Sequence, residues 1–194
     1  LGVSPTILSI NGQEVEKIII NNKEVLTVLY EAAPGKHLSR KEWNADVLKA
    51  LGRQIGKLHR FSRKFEETYP TRYINDWHQN EEYAFLKYIP EEETAIREVA
   101  QEILTKIKTL PKDKFNYGLL HGDLWLENVV VDRDLKLTMV DFQDCEKHFY
   151  AFDLAVPIYS AIEYTFVGGG NILEYGRSIT KAIIEGYKEE NDIP

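Results

Sequence analysis

The sequence predicts an α+β fold in which a small antiparallel β part precedes a mainly helical part with one inserted β-hairpin. Over roughly the first thirty residues, apolar and polar side chains alternate between turn signals, which is typical of strands. Beyond residue 35, apolar residues recur every three or four positions, which is typical of helices. Strands that come first and helices that follow predict an α+β layout rather than alternating βα units.

Residues 6–10, 15–20 and 25–30 are the predicted strands of the front part. Asn11-Gly12 and Asn21-Asn22-Lys23 separate them, and Asn-Gly is a strong hairpin-turn signal. Ala33-Pro34-Gly35 then ends the alternating pattern. We therefore predict that residues 1–35 form a partial N-terminal lobe and that residues 36–194 form a helical C-terminal lobe.

Two apolar stripes at helical spacing mark long helices in the second part. The first stripe comprises Trp43, Val47, Leu48, Leu51, Ile55, Leu58 and Ser62. The second comprises Ile96, Val99, Ala100, Ile103, Leu104, Ile107 and Leu110, and Pro111 closes it. Residues 128–131 and 135–141 are the predicted strands of the inserted hairpin. Residues 152–166 and 172–187 are the predicted closing helices, and we interpret Gly168-Gly169-Gly170 between them as a loop.

Composition excludes several classes of protein. No run of about eighteen apolar residues is present, so no membrane span is expected. The single cysteine, Cys145, excludes an internal disulfide and a cysteine-built zinc site, which favours a cytoplasmic location. A net charge of −7 argues against nucleic-acid binding, which calls for a basic surface. The histidines share no ligand spacing that would indicate a histidine metal site.

The segment from His121 to Asp141 contains the candidate catalytic and metal-binding residues. Asp123 and Asn128 lie five positions apart, and Asp141-Phe142 follows the predicted hairpin. This is the spacing of a kinase catalytic loop and of the metal-binding Asp-Phe pair beside it. An Asp can orient an attacking hydroxyl, and amide and carboxylate oxygens suit Mg²⁺. Because a hairpin brings its two ends together, these groups can share one ion.

The same segment resembles the aminoglycoside phosphotransferase and choline kinase-like family, relatives of protein kinases that phosphorylate small molecules. The residues that match are His121-Gly122-Asp123, Asn128, Asp141-Phe142 and Asp153-Leu154-Ala155. The resemblance implies a protein-kinase-like fold and an ATP-dependent transfer of the γ-phosphate to a hydroxyl of a small molecule. Amino-sugars, choline-like alcohols and amino alcohols are acceptors of this type. It also implies Asp123 as catalytic base, Asn128 and Asp141 as Mg²⁺ ligands, and His121 and Asp153 as structural support.

In this family the last strand of the nucleotide lobe leads into a hinge that binds adenine through its backbone. Tyr30 to Gly35 resembles that hinge, so Glu31, Ala32 and Ala33 are the candidate nucleotide contacts; a plain strand-to-helix turn is the alternative. Lys17 and Lys23 lack the sequence context of the phosphate-binding lysine. The chain also opens in strand-like sequence without Met, which indicates an incomplete nucleotide lobe. We therefore expect the chain as given to be inactive and the intact protein to be active.

Three other functions stay open. A catalytically inactive kinase-like module could bind a nucleotide or a partner. The stretch His121-Gly122-Asp123-Leu124-Trp125 also resembles the ketosamine kinases, although Leu126 and Glu127 depart from their pattern. A protein kinase is disfavoured by Gly122, which cannot pair with a phosphorylated loop, and by the twelve positions from Asp141 to Asp153.

Several side chains near the motif have two interpretations. Trp125 either stacks on a substrate ring or packs under the loop. Three acidic residues lie near or after the motif: Asp144, Glu146 and Glu163. They either give the substrate site negative charge or form a solvated face. The sequence predicts neither the identity of the substrate nor the oligomeric state.

Overall fold

A computed structural model describes residues 1–166 and 170–193, and its elements follow the predicted α+β order. The strands are β1 (Thr6–Ile7), β2 (Glu16–Ile20), β3 (Lys23–Thr27), β4 (Leu29–Tyr30), β5 (Tyr117–Leu120), β6 (Val129–Val131), β7 (Leu137–Met139) and β8 (Glu146–Phe149). The helices are α1 (Ala45–Thr68), α2 (Thr94–Thr109), α3 (Tyr150–Thr165) and α4 (Ile172–Tyr187). The predicted loop at Gly168 and Gly169 lies outside the described residues.

The front strands form two separate antiparallel pairs, β1 with β4 and β2 with β3. Asn21 and Asn22 have φ of 51° and 61° and close the tight turn between β2 and β3, as predicted. The prediction of a hairpin turn at Asn11-Gly12 is wrong, because β1 and β2 do not pair. The Ser9 hydroxyl accepts the N–H groups of Asn11 and Gln13, so this stretch closes on itself as a local loop.

Helices α1 and α4 form the centre of the C-terminal part. The Asn44 side chain caps α1 by accepting the N–H groups of Asp46 and Val47. The buried face of α1 then packs against α4 at very short range. A Cβ added at Gly52 would overlap a backbone carbonyl of α4, and one added at Gly186 would overlap a carbonyl of α1. Only glycine permits this approach of the two backbones.

The β6–β7 hairpin carries the candidate site, and its register pairs Val129 with Met139. One edge is bonded to the front part of the chain, and the other is bonded to Lys36, the residue that directly follows the front part. The Met139 N–H donates to the carbonyl of Gly2 over 2.8 Å, and Lys36 exchanges two hydrogen bonds with Val131. Strands β5 and β8, which the sequence did not predict, pair beside the hairpin and frame the segment that follows Leu120. The hairpin therefore joins the N-terminal residues to the segment that contains Asp123 and Asn128.

Helix α2 forms over the predicted stripe, but its apolar residues are not buried in the described structure. Ile96 is 55% exposed and Val99 is 56% exposed. The Arg97 guanidinium ties the helix to the preceding turns by donating to the carbonyls of Leu86 and Ile89. Within the two described ranges, no helix combines the length and the apolar character needed to cross a membrane.

Candidate active site

The loop from His121 to Asn128 is held between β5 and β6 by alternate buried side chains. Leu124 and Leu126 are 0% and 2% exposed, and the Leu126 N–H donates to the Ser160 hydroxyl over 3.1 Å. Asp123 and Trp125, which lie between these anchors, are only partly buried. The alternation presents Asp123 and Trp125 on one side of the loop while the leucines fix its backbone in the core.

His121 connects the loop to the hairpin. Its imidazole is fully buried, and Nε2 lies 3.0 Å from the carbonyl of Val140. Since that nitrogen must donate to a carbonyl, Nδ1 is left to accept the Asp123 N–H over 3.3 Å. The ring of Phe142 packs on the imidazole with a centroid separation of 4.3 Å. His121 thus contacts both neighbours of Asp141, which are Val140 and Phe142.

Asn128 is fixed against Asp123. The Asn128 Nδ2 donates to the backbone carbonyl of Asp123 over 2.8 Å and to its carboxylate over 3.0 Å. The backbone carbonyl of Asn128 accepts the N–H of Val140. The amide oxygen of Asn128 has no hydrogen bond to any residue that the structure describes. This leaves a neutral oxygen free beside the carboxylate of Asp123.

Asp141 follows the hairpin in a left-handed conformation, with φ of 65° and ψ of 63°. A non-glycine residue rarely adopts this backbone, and the side chain of Asp141 is exposed. Across the described ranges, that carboxylate forms no hydrogen bond or ion pair. Free oxygens on Asn128 and Asp141 fit the oxygen-rich coordination that Mg²⁺ and Ca²⁺ require.

Asp141 lines a cavity of about 460 Å³ together with the predicted hinge. Residues of the front part form one wall: Val3, Ser4, Tyr30, Glu31 and Ala33. Residues 139–143 form the other wall. Ala32, the third predicted nucleotide contact, is not among the lining residues. A separate cavity of about 1090 Å³ is lined by Gly35, Lys36 and Val131 among others, and none of the predicted site residues lines it.

Asp153 is buried under the loop and accepts three hydrogen bonds. The N–H of His121 lies 2.9 Å from Oδ2, the N–H of Gly122 lies 3.0 Å from Oδ1, and Nε2 of His59 lies 3.1 Å from Oδ2. Burial by itself raises the pKa of this carboxyl, but the bonds from His59 and from the two backbone groups outweigh it. The pKa of Asp153 is held below its ordinary value.

Two residues that sequence reasoning missed, Ser160 and Tyr187, support the loop from α3 and α4. Ser160 is fully buried and accepts the Leu126 N–H, while the Tyr187 hydroxyl lies 3.0 Å from Nδ1 of His59. Both are polar side chains on otherwise apolar helix faces. That anomaly is the signal from which they could have been found, because buried polar groups need a partner.

The acidic residues near the motif differ in exposure. Glu146 is 4% exposed and accepts hydrogen bonds from Tyr83 and Asn80, so it belongs to neither a solvated face nor an open site. Burial raises the pKa of its carboxyl. Glu163 is exposed on α3, and Asp144 is partly buried.

Cys145 lies in the same stretch. Burial raises the pKa of its thiol to about 12, and the carboxylates of Asp153 and Asp144 add to the effect. A thiol with so little thiolate is a poor nucleophile at neutral pH.

The model of the phosphotransferase enzyme family matches residues 5–172 of this sequence. The chain belongs to this family. Membership confirms the resemblance that was based on residues 121–155, and the solved structures that the chain resembles confirm the predicted kinase-like α+β fold.

This phosphotransferase-family chain is similar to amicoumacin kinase of Bacillus subtilis (strain 168), with 28% identity over 194 residues. It is also similar to the solved structure of amicoumacin kinase hAmiN in complex with AMP-PNP, Ca²⁺ and Ami, with 26% identity and a TM-score of 0.89. A microcompartment-associated aminopropanol kinase has the same fold, with 20% identity and a TM-score of 0.69. All of the chain is covered in each comparison.

The phosphotransferase-family chain spans 57% of the curated relative, and 58% and 61% of the two solved structures.

Proposed function

We propose that this chain forms the acceptor- and metal-binding part of an ATP-dependent kinase that phosphorylates a hydroxyl group of a small molecule. One observation carries the proposal. Asn128 and Asp141 flank the two ends of the β6–β7 hairpin, and Asn128 is bonded to Asp123. Asp141 also lines a cavity with Glu31 and Ala33 of the hinge, which is remote from all three residues in sequence. A base, oxygen ligands and a nucleotide-sized cleft thus occur together, as phosphoryl transfer requires.

Asp123 is the proposed catalytic base. Its carboxylate is held by the Asn128 amide and remains partly exposed, so one of its oxygens can accept the proton of an acceptor hydroxyl. Asn128 thereby fixes the direction of the carboxylate. His121 and Asp153 fix the backbone that carries it, which supports the structural roles predicted for both residues.

Asn128 and Asp141 are the proposed ligands of Mg²⁺. When bound, the ion would neutralise charge on the transferred phosphate. Asn128 offers a neutral oxygen and Asp141 offers a charged one. The carboxylate of Asp141, which lies in a left-handed turn, has no other partner among the described residues, so it is available to a cation.

The hinge backbone is the proposed adenine contact. The Glu31 N–H already donates to the carbonyl of Pro5 over 2.9 Å. The carbonyl of Glu31 and the N–H of Ala33 form no hydrogen bond with any described residue. Adenine presents an amino donor beside a ring-nitrogen acceptor, which this carbonyl and this N–H can match. Ala32 would connect the two contacts, and residues 1–35 would be the last part of the nucleotide lobe.

The similarity to amicoumacin kinase, which is 28% identical, supports a small-molecule acceptor. Gly122 and the short segment between Asp141 and Asp153 argue against a protein substrate. We place the reaction in the cytoplasm, where ATP is available. The chain itself lacks a lysine in the context that binds ATP phosphates. We therefore propose that residues 1–194 alone do not turn over ATP and that the full-length protein does.

The test measures ATP consumption by the full-length protein with amino-sugars, choline-like alcohols, amino alcohols, ketosamines and a protein substrate. The Asp123→Asn variant should lose roughly 10²- to 10⁴-fold in turnover, the range of a general base. Glu127→Gln, an exposed change in the same loop, is the matched control and should keep its turnover.

Two results would contradict the proposal. Equal rates for Asp123→Asn and the control would remove Asp123 from the mechanism. No turnover of any substrate by the full-length protein would favour the inactive nucleotide- or partner-binding module. Separately, strong ATP turnover by residues 1–194 would disprove the expected inactivity of the chain.

A further inference from the structure

We infer that one face of helix α2 is the interface on which a second copy of this protein packs, with the two α2 helices antiparallel. The face consists of Ile96, Val99, Ile103 and, directly after the helix, Leu110. We call it the α2 face. This interface contains none of the proposed site residues, so it is independent of the proposed kinase function.

The α2 face is open to solvent. Its four side chains are between 44% and 56% exposed, and no residue of α2 is buried within the ranges that the structure describes. The helix is attached through Arg97, whose guanidinium bonds to two carbonyls of the preceding turns. An isolated helix of this length is barely stable in water, and most helices in proteins are stabilised by packing of an apolar face. We therefore expect another surface to cover the α2 face.

The spacing of the α2 face suits a helix as its partner. Ile96, Ile103 and Leu110 recur every seven residues, the spacing with which one helix packs along another. Beside them lies a groove of about 540 Å³, lined only by apolar residues: Phe85, Ala95, Ile96, Val99, Ala100 and Ile103. Small residues among larger ones leave holes that the side chains of a facing helix can fill.

The charges along α2 select a second copy as that partner. Residues 91–102 contain five glutamates and one arginine, whereas residues 103–114 contain four lysines and one aspartate. Two antiparallel copies therefore place the acidic half of each helix against the basic half of the other. Two parallel copies would bring like charges together, which disfavours that arrangement. The helix dipole favours the same order of charges in a single helix, but it requires no apolar face beside them.

One pair of charges makes the antiparallel arrangement specific. Glu102 and Lys106 follow Val99 by three and seven positions, so they lie along one edge of the α2 face. Both side chains are exposed, and neither forms an ion pair or a hydrogen bond with a residue of the described ranges. If the helices cross near Ile103, Glu102 of each copy lies next to Lys106 of the other. Two-fold symmetry then forms this ion pair twice.

The first test measures the Kd of the dimer by sedimentation equilibrium of the full-length protein over a dilution series. Ile103→Glu places a charge at the crossing point in both copies and should raise this Kd about a hundredfold or more. Ile172→Glu is the matched control, because Ile172 on α4 is also 49% exposed, and it should leave the Kd unchanged. Circular dichroism verifies that the helices of both variants are intact.

The second test exchanges the charges. Glu102→Lys and Lys106→Glu should each raise the Kd about tenfold, because two attractive pairs become repulsive. An equal mixture of the two variants should form a mixed dimer with nearly the Kd of the wild type. In that mixed dimer the two lysines of one copy face the two glutamates of the other. No segment of the same chain could give this recovery on mixing.

Three results would overturn the inference. A full-length wild type that stays monomeric would do so, and slow hydrogen exchange of α2 in that monomer would show that another segment of the same chain covers the α2 face. Equal Kd values for Ile103→Glu and Ile172→Glu would place the dimer interface elsewhere. Failure of the mixed charge variants to pair more tightly than either variant alone would contradict the antiparallel arrangement.

Discussion

Nε2 of His59 lies 3.1 Å from Oδ2 of Asp153, and both side chains are completely buried. The contact joins α1 to α3 directly beneath the loop that carries Asp123. Because the same carboxylate accepts the N–H groups of His121 and Gly122, it connects the helical core to the start of that loop. The position of Asp123 therefore depends on a buried pair of residues on α1 and α3.

Replacing Asp153 with alanine should destabilise the protein by about 3–5 kcal/mol, because His59 and two backbone N–H groups would lose a buried acceptor. The measurement is the free energy of unfolding from urea titration. Asp132→Ala, at the hairpin turn, removes a partly exposed carboxylate with only local bonds and serves as the control. Equal losses of unfolding free energy in the two variants would show that the burial of Asp153 adds nothing to its contribution to stability.

The lowered pKa of Asp153 predicts a pH dependence with a definite sign. Its stabilising bonds are fully formed above the ordinary carboxyl pKa of about 3.9 and are lost as the pH falls through the lower pKa of the folded state. The difference in unfolding free energy between wild type and Asp153→Asn should therefore be constant from pH 7 to about pH 5 and shrink below pH 4. Urea titrations across this pH range measure the difference. A difference that grew on acidification would contradict the prediction.

Much of the site could be predicted because its chemistry is local in sequence. The spacing of Asp123 and Asn128 depends on a single loop, and the step to Asp141 depends on a short hairpin. The pairing of β5 with β8 could not be predicted, since Glu146 and His148 are polar and carry no strand pattern. Their burial depends on Tyr83 and Trp77, which lie more than sixty positions away in the sequence.

In the front part of the chain, a clear sequence signal predicts a strand pairing that does not form. Asn11-Gly12 is a strong hairpin-turn signal, yet β1 pairs with β4, which is more than twenty positions further along the chain. A turn propensity describes only its own few residues, and here the Ser9 hydroxyl satisfied those residues locally. Strand pairing is decided by residues that a local pattern does not contain.

Gly122 should tolerate no side chain, for two physical reasons that can be separated. Its φ is +87°, and a Cβ at this position would overlap the backbone carbonyl of Asp144. Gly12 has a similar φ of +74° but no atom within 4 Å of its added Cβ. Gly12→Ala should therefore cost only the left-handed backbone penalty of about 1–2 kcal/mol. Gly122→Ala should cost about 1–3 kcal/mol more, as in other overpacked sites.

Urea titration of both variants gives the two free energies, and ATP turnover of the full-length protein gives the functional consequence. Because the overlap pushes the loop away from Asp144 at the residue before Asp123, turnover should fall in Gly122→Ala and stay unchanged in Gly12→Ala. Equal destabilisation of the two variants would mean that the loop moves aside freely. In that case the contact with Asp144 would not position Asp123, the proposed catalytic base.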